Sequence, residues 1–333
     1  MSQRALVTGV AGFMGRHVAQ ACLDSGMEVT GLDDLSGGFM ENIPNGIRFI
    51  NGSVTDDSLV RYVTETTQFD FIYHLAAYAA EGLSHFIRRF NYLNNVLGSV
   101  NLVNAAVRTR VRCFLFTSSI AVYGSNQLPM TENLVPQPED PYGIAKYAVE
   151  LDLRAAHETF GLEYVIFRPH NVFGEYQNIA DRYRNVVGIF MNQTLSGEPM
   201  TVFGDGLQTR AFSYVGDVAP IIARSALMEN LYGDTFNVGA DQPCTVLDLA
   251  RMVADALSVS LRVAHLPPRN EVVNAYASHE KLRAIWPEAM QQTSLPEGIG
   301  RMARWAQSVG SRPALGFKGD IEIHDHLPSA WQV

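Results

Sequence analysis

The chain has 333 residues, 47% of them hydrophobic and 18% charged, a balance that favours a well-packed globular protein over a disordered one. With 25 Lys and Arg against 34 Asp and Glu, its net charge of −9 argues against a nucleic acid partner. It leaves room for a small anionic ligand, which a few local arginines can hold. The first residues run straight into an apolar strand, with no secretory signal and no apolar run long enough to cross a bilayer. A cytoplasmic protein without membrane insertion is therefore expected. Cys22, Cys113 and Cys244 lack metal-ligand spacing, so no metal site is expected, and Cys22 and Cys113, inside apolar patterns, read as buried free thiols.

In chain order, Ala5–Thr8 reads as a buried strand ending at Gly9, and Gly12 to Gly26 as a helix. Glu28–Leu32 reads as a second strand and Arg48–Ile50 as a third, before a helix carrying Val60 and Val63. Phe71–Leu75 reads as the fourth strand, Tyr92–Arg108 as a long helix and Cys113–Thr117 as the fifth strand. A helix over Tyr142–Phe160 and a strand over Tyr164–Phe167 follow. This alternation predicts an α/β fold, a Rossmann-type doubly wound parallel sheet, with a smaller α/β substrate-binding region. Residues 1–168 form the expected nucleotide-binding core, with 212–240 returning to it. Residues 169–211 and 241–305 form the expected substrate region. The tail over 306–333 reads as an arm or a flexible end, with one short candidate strand at Ile321–Ile323.

Gly9, Gly12 and Gly15 lie between the first strand and the first helix, with Phe13 and Met14 opening that helix. The spacing allows backbone to approach a pyrophosphate, and the helix N-terminus offers free N–H groups. Asp33, ending the second strand, either accepts ribose hydroxyls, which favours NAD over NADP, or only shapes a turn. Tyr142 and Lys146, four apart on one helix face, suit proton abstraction from a sugar hydroxyl while hydride leaves its carbon. Ser119 follows the fifth strand, where its hydroxyl can bridge to the substrate oxygen.

These residues, with His74-Leu75-Ala76-Ala77 and Ser118-Ser119-Ile120-Ala121-Val122-Tyr123-Gly124, resemble the extended short-chain dehydrogenase/reductase family over residues 4–305. The resemblance is to its nucleotide-sugar epimerase and dehydratase branch, and most of all to the 4-epimerases. It implies Tyr142 as base, Lys146 as its electrostatic partner and ribose ligand, and Ser119 as the assisting hydroxyl. It places Leu75, Ala76, Ala77 and Asn95 on the cofactor side. Asp56 matches the end of the family's Gly-Asp-x-x-Asp stretch, but Ser53 replaces the first Asp, leaving Val54 to offer a backbone contact to adenine. On the substrate side it implies Asn171, Asn185 and Val186, with Arg210 and Arg269 holding the diphosphate. It also implies a homodimer through the helices containing Asn95–Arg108 and Tyr142–Phe160.

Dehydratases of this branch carry an acidic pair where this chain has Ile120-Ala121, neither of which can move a proton. The remaining machinery suits a 4-epimerase acting on a UDP-hexose or UDP-hexuronic acid, the ketone being reduced from its other face. A 4,6-dehydratase, a sugar-nucleotide dehydrogenase and, more remotely, a non-catalytic NAD-binding protein are the alternatives.

Overall fold

The computed structural model of the chain describes residues 2–268, 273–290, 293–328 and 331. Its first half runs β1 (Arg4–Thr8), α1 (Phe13–Asp24), β2 (Glu28–Asp33), β3 (Arg48–Asn51), α2 (Asp57–Thr66) and β4 (Phe71–His74). Next come α3 (Glu81–Ser84), α4 (Arg88–Tyr92), α5 (Gly98–Thr109), β5 (Cys113–Thr117), α6 (Pro141–Phe160) and β6 (Tyr164–Pro169). The second half is more broken: β7 (Val172–Phe173), α7 (Val186–Leu195), β8 (Met200–Phe203), β9 (Thr209–Ala211), β10 (Ser213–Tyr214) and α8 (Val215–Ser225). It ends with β11 (Asp234–Val238), β12 (Pro243–Thr245), α9 (Val246–Ala256), β13 (Val263–Leu266), β14 (Asn274–Ala275), α10 (Glu280–Ile285) and α11 (Leu295–Val309).

Seven strands pair in parallel in the order β11-β6-β5-β4-β1-β2-β3. The inner strands are mostly apolar because both faces are covered, and the polar residues Thr8, His74, Thr117 and Arg168 sit at or near their carboxyl ends. Alternate residues enter opposite cores: Ala5, Val7, Phe71 and Tyr73 face one, Leu6, Ile72, Phe114 and Phe116 the other. The first core is closed by Val18 and Cys22 of α1 and Val218 and Ile222 of α8. The second is closed by Val60 and Val63 of α2, Leu102 and Ala106 of α5, and Val149 and Leu153 of α6. The chain leaves β1 toward β2 and β3, then crosses to β4 on the other side. The sheet therefore splits its connections above the carboxyl ends of β1 and β4, and a crevice opens there. The three-stranded set β12-β9-β14 and the pair β13-β8 lie outside this sheet. Among the described residues, no helix is long and apolar enough to cross a membrane.

Local chemistry sets the helix starts that matter for the site. Asp56 caps α2, its carboxylate accepting Leu59 N–H at 3.0 Å. Asp140 caps α6 by accepting Gly143 N–H at 2.9 Å, Pro141 opens the helix, and Gly161 ends it at φ 71°. Two expectations change. The helix expected from Tyr92 is joined to α4 and contains a π-helical turn over Leu93–Leu97. Ile321–Ile323 is no strand: the Glu322 carboxylate accepts Arg89 N–H and Phe90 N–H, both at 2.8 Å, and so caps α4. A carboxylate at the otherwise open amides of a helix start is favoured over a lone strand with no pairing partner.

Candidate active site

The crevice is one cavity of about 1300 Å³. Its floor begins at the glycine loop. Gly9 has φ 74°, and a Cβ there would lie 2.8 Å from Ala76 N. At Gly15 a Cβ would lie 1.9 Å from Gly9 O, so helix α1 can start this close to the turn only without a side chain. Ala11 N–H donates to Asp33 Oδ2 at 3.0 Å and Leu35 N–H to Oδ1 at 2.8 Å, which fixes the carboxylate at the lip of β2. Burial raises the Asp33 pKa, against the pull of those two amides. Gly9, Gly12, Phe13, Met14 and Gly15 line the cavity together with Asp33 and Val54. Leu75, Ala76 and Ala77 do so on the other side. This bare backbone cradle, with a carboxylate 22 residues beyond its Ala11 contact, fits a dinucleotide.

Tyr142, Lys146 and Ser119 all line the same cavity. Asp140 and Pro141 start α6 immediately before Tyr142, so the phenol sits in the first turn, facing the end of β5. Lys146, one turn later, donates to Thr117 O at 2.8 Å, and its ammonium is 5.8 Å from the Tyr142 ring centre. Burial holds the phenol well above its ordinary pKa and the Glu81 charge adds to this, while a hydrogen bond with Ser119 works against both. Burial also pushes the Lys146 ammonium down to about 7, with Glu150 pulling it back up. The protein alone thus favours a neutral phenol. Thr117 Oγ1, buried beneath the pair, has no hydrogen-bond partner.

Several supporting residues were not evident from sequence. Ser118 donates to Glu150 Oε1 at 2.6 Å, and Arg168 Nε donates to the same oxygen at 2.9 Å. Glu150 is four residues beyond Lys146 on α6, the one signal that linked it to the motif. His74 sits between Thr8 and Ser99 at 2.8 Å from each hydroxyl, and burial lowers its pKa to about 3, with Lys146 adding. Asn95 does not line the cavity: its side chain accepts Tyr78 N–H at 2.8 Å and donates to Tyr78 O at 3.1 Å. Asn91 accepts from Asn95 and donates to Pro141 O at 2.8 Å. These two asparagines tie the segment after β4 to the start of the helix bearing Tyr142. Ser53 also stays out of the cavity, its hydroxyl within 3.0 Å of Thr55 Oγ1.

On the substrate side, Asn171, Asn185, Val186 and Arg210 all line the cavity. Asn171 donates to Ala211 O at 3.0 Å, and Asn185 caps α7 by accepting Val187 N–H at 3.2 Å. Arg210 Nη1 donates to Val273 O at 2.8 Å, which holds the guanidinium at β9. Arg269 lies outside the described residues. His170 lines the cavity with its ring nitrogens already engaged: Nδ1 is 3.0 Å from Ala211 O and Nε2 is 3.0 Å from His279 Nε2. Two further groups face the cavity. Arg184 donates to Asp181 Oδ2 at 2.7 Å and lies over the Tyr78 ring. The C-terminal arm contributes Asp325, His326 and Trp331.

The profile of the NAD dependent epimerase/dehydratase family matches residues 5–239. The UDP-glucose 4-epimerase of Mycolicibacterium smegmatis is 31% identical over 308 residues, 90% of this chain and 96% of that protein. UDP-glucuronic acid decarboxylase 1 of Arabidopsis thaliana is 32% identical over 315 residues, 90% of this chain and 68% of that one. The crystal structure of a Thermotoga maritima UDP-glucose 4-epimerase with UDP-glucose matches at a TM-score of 0.85 and 30% identity, over 92% of this chain and 99% of that chain. A profile match across most of the sequence, and an epimerase and an epimerase structure each aligned over 96% or more of their own length, lead to one conclusion: the chain belongs to the NAD dependent epimerase/dehydratase family.

Proposed function

We propose that this protein inverts the C4 hydroxyl of a nucleotide-diphosphate sugar, a UDP-hexose being the class favoured, with NAD as its resident cofactor. The observation that carries the reading is the meeting of Tyr142, Ser119 and Lys146 beside the glycine cradle, with no proton-moving side chain at positions 120 and 121. Ile120 is buried in an apolar cluster, and Ala121 uses its N–H on Ser119 Oγ at 3.1 Å. A 4,6-dehydratase needs an acid or base that these residues cannot supply.

Gly9, Gly12 and Gly15 would hold the pyrophosphate, Asp33 the adenosine ribose, and Lys146 the other ribose. NAD, when bound, supplies the hydride acceptor and a positive charge that favours the phenolate over the phenol. Tyr142 then takes the C4 hydroxyl proton while Ser119 donates to the same oxygen. With the ketone formed, Arg210 and the Val186 N–H keep the diphosphate in place as the sugar turns its other face. Tyr142 returns its proton to the oxygen of the inverted alcohol, so no second redox substrate is consumed. A homodimer is part of this reading: Leu93, Leu97, Ile144 and Leu151 leave an apolar surface on α4 to α6 that is exposed in the single chain.

The test is product identification without added coenzyme, on UDP-glucose, UDP-N-acetylglucosamine, UDP-glucuronic acid and GDP-mannose. Inversion at C4 is expected in a UDP-sugar, and Tyr142→Phe should lower turnover by about a thousandfold while purifying with the same NAD content. A 4-keto-6-deoxy product would overturn the reading and move attention to Glu81, the carboxylate whose charge acts on Tyr142.

A further inference from the structure

The arm beyond α11 runs back to the catalytic helix through a chain of specific contacts. Asn192 on α7 exchanges two hydrogen bonds with the Arg312 backbone, at 2.8 and 2.9 Å. Leu315 N–H then donates to Ala180 O at 2.8 Å. Phe317 packs edge-on against Tyr78 and Phe90, with ring centres 5.3 and 4.9 Å apart. Glu322 caps α4 as described. Trp331, buried, rests against Tyr183 with ring centres at 5.3 Å. It also covers Gly82 so closely that a Cβ there would come within 2.9 Å of the indole.

What the arm braces is the wall beside Tyr142. Ser84, at the end of α3, accepts Tyr142 N–H at 3.2 Å, and Glu81 and His85 of the same short segment line the cavity. The arm itself adds Asp325 and His326 to that lining, with His326 held at φ 63°. A non-glycine residue in the left-handed region is costly and persists only where its surroundings hold it. Charge on this wall is one-sided. Among the described residues, Glu81, Glu139, Asp140, Asp181 and Asp325 line it. Against them stand Arg184, already paired with Asp181, and Lys146, engaged by Thr117 O. Arg210 is carried by a different element, β9.

We infer that the C-terminal arm completes the sugar-binding wall and that this wall selects an uncharged hexose over a hexuronate, with Trp331 as a positioning residue and Asp325 as a determinant of charge preference. The inference rests on the epimerase reading above. Among the described residues, a sugar carboxylate entering here would face several carboxylates, with Arg184 and Lys146 both already engaged, and such like-charge juxtaposition disfavours binding.

UDP-glucose and UDP-glucuronic acid differ at C6 alone, so the ratio of their kcat/KM values reads the wall. The full chain should favour UDP-glucose by at least about tenfold. Trp331→Ala should raise KM for UDP-glucose about tenfold with kcat changed less than about threefold, and Trp331→Phe should restore most of it. Bound NAD and Tm are followed in each variant to separate a displaced wall from a misfolded protein. Asp325→Asn, at an exposed position that tolerates the change, should shift the ratio toward UDP-glucuronic acid by about threefold. Preference for UDP-glucuronic acid in the unmodified protein would overturn the charge selection, and unchanged KM and ratio in Trp331→Ala and Asp325→Asn would overturn the role of the arm. Turnover of no nucleotide sugar at all would overturn the epimerase reading, and this inference with it.

Discussion

Lys146 carries a proton that the folded protein holds weakly. Burial brings its pKa to about 7, whereas an unfolded chain keeps the proton up to the ordinary value of 10.5. Between those values the unfolded state binds more protons, so this residue makes stability rise with pH, and below about 7 its contribution is least favourable. Tyr142 acts in the opposite sense above its ordinary value of 10.0, because its folded pKa is raised and the unfolded chain loses that proton first. The window for Lys146 is therefore about pH 7 to 10. Urea unfolding across that range should show a rise in the natural protein that Lys146→Met lacks, and equal slopes would contradict a buried ammonium. The glycine loop and the Tyr142 and Lys146 pair were legible in the sequence because each is a local spacing with one mechanical purpose. Ser118, Glu150 and Arg168 were not, because their partners are 32 and 18 residues away and only the fold brings them together.

Elements differ in how openly the sequence declares them. The parallel strands are short apolar runs, and the helices between them repeat their apolar positions with helical period, so both could be read. The arm could not. It is held by one glutamate on a helix start and by scattered aromatic rings, and neither leaves a periodic trace. Helices α4 to α6 carry a testable consequence of their own. Leu93 and Leu97 are 39% and 46% exposed, and Ile144 and Leu151 40% and 47%, more than a solvated surface needs. Light scattering should report twice the 36.7 kDa chain mass, and Leu97→Glu combined with Leu151→Glu should reduce it to one. A monomeric natural protein would remove the dimer from the proposed function.

At the scale of the whole molecule, stability and site share one buried ion pair. Glu150 and Arg168 are 0% and 1% exposed, and they join α6 to β6 directly beneath Ser118. Arg168 also lies over the Tyr123 ring, whose hydroxyl donates to Asn237 on β11 at 2.8 Å. Arg168→Met takes the bidentate partner from the Glu150 charge, leaving Ser118 at 2.6 Å and Arg154 at 3.8 Å, and should cost about 3–5 kcal/mol of unfolding free energy. Adding Glu150→Gln should recover part of that loss, since the buried charge is then gone. A loss below about 1 kcal/mol for Arg168→Met alone would show that the pair matters little to global stability.

The π-helical turn at Leu93–Leu97 makes this region intolerant of a change in length. Removing one residue would let the chain regain regular α-helix, the better local geometry. It would also turn everything on one side of the cut by about 100° relative to the other. Asn91 and Asn95 reach Pro141 and Tyr78 only with the extra residue in place. A variant of this protein shortened by one residue there would gain a more regular helix and lose the bracing between two walls of its reaction chamber.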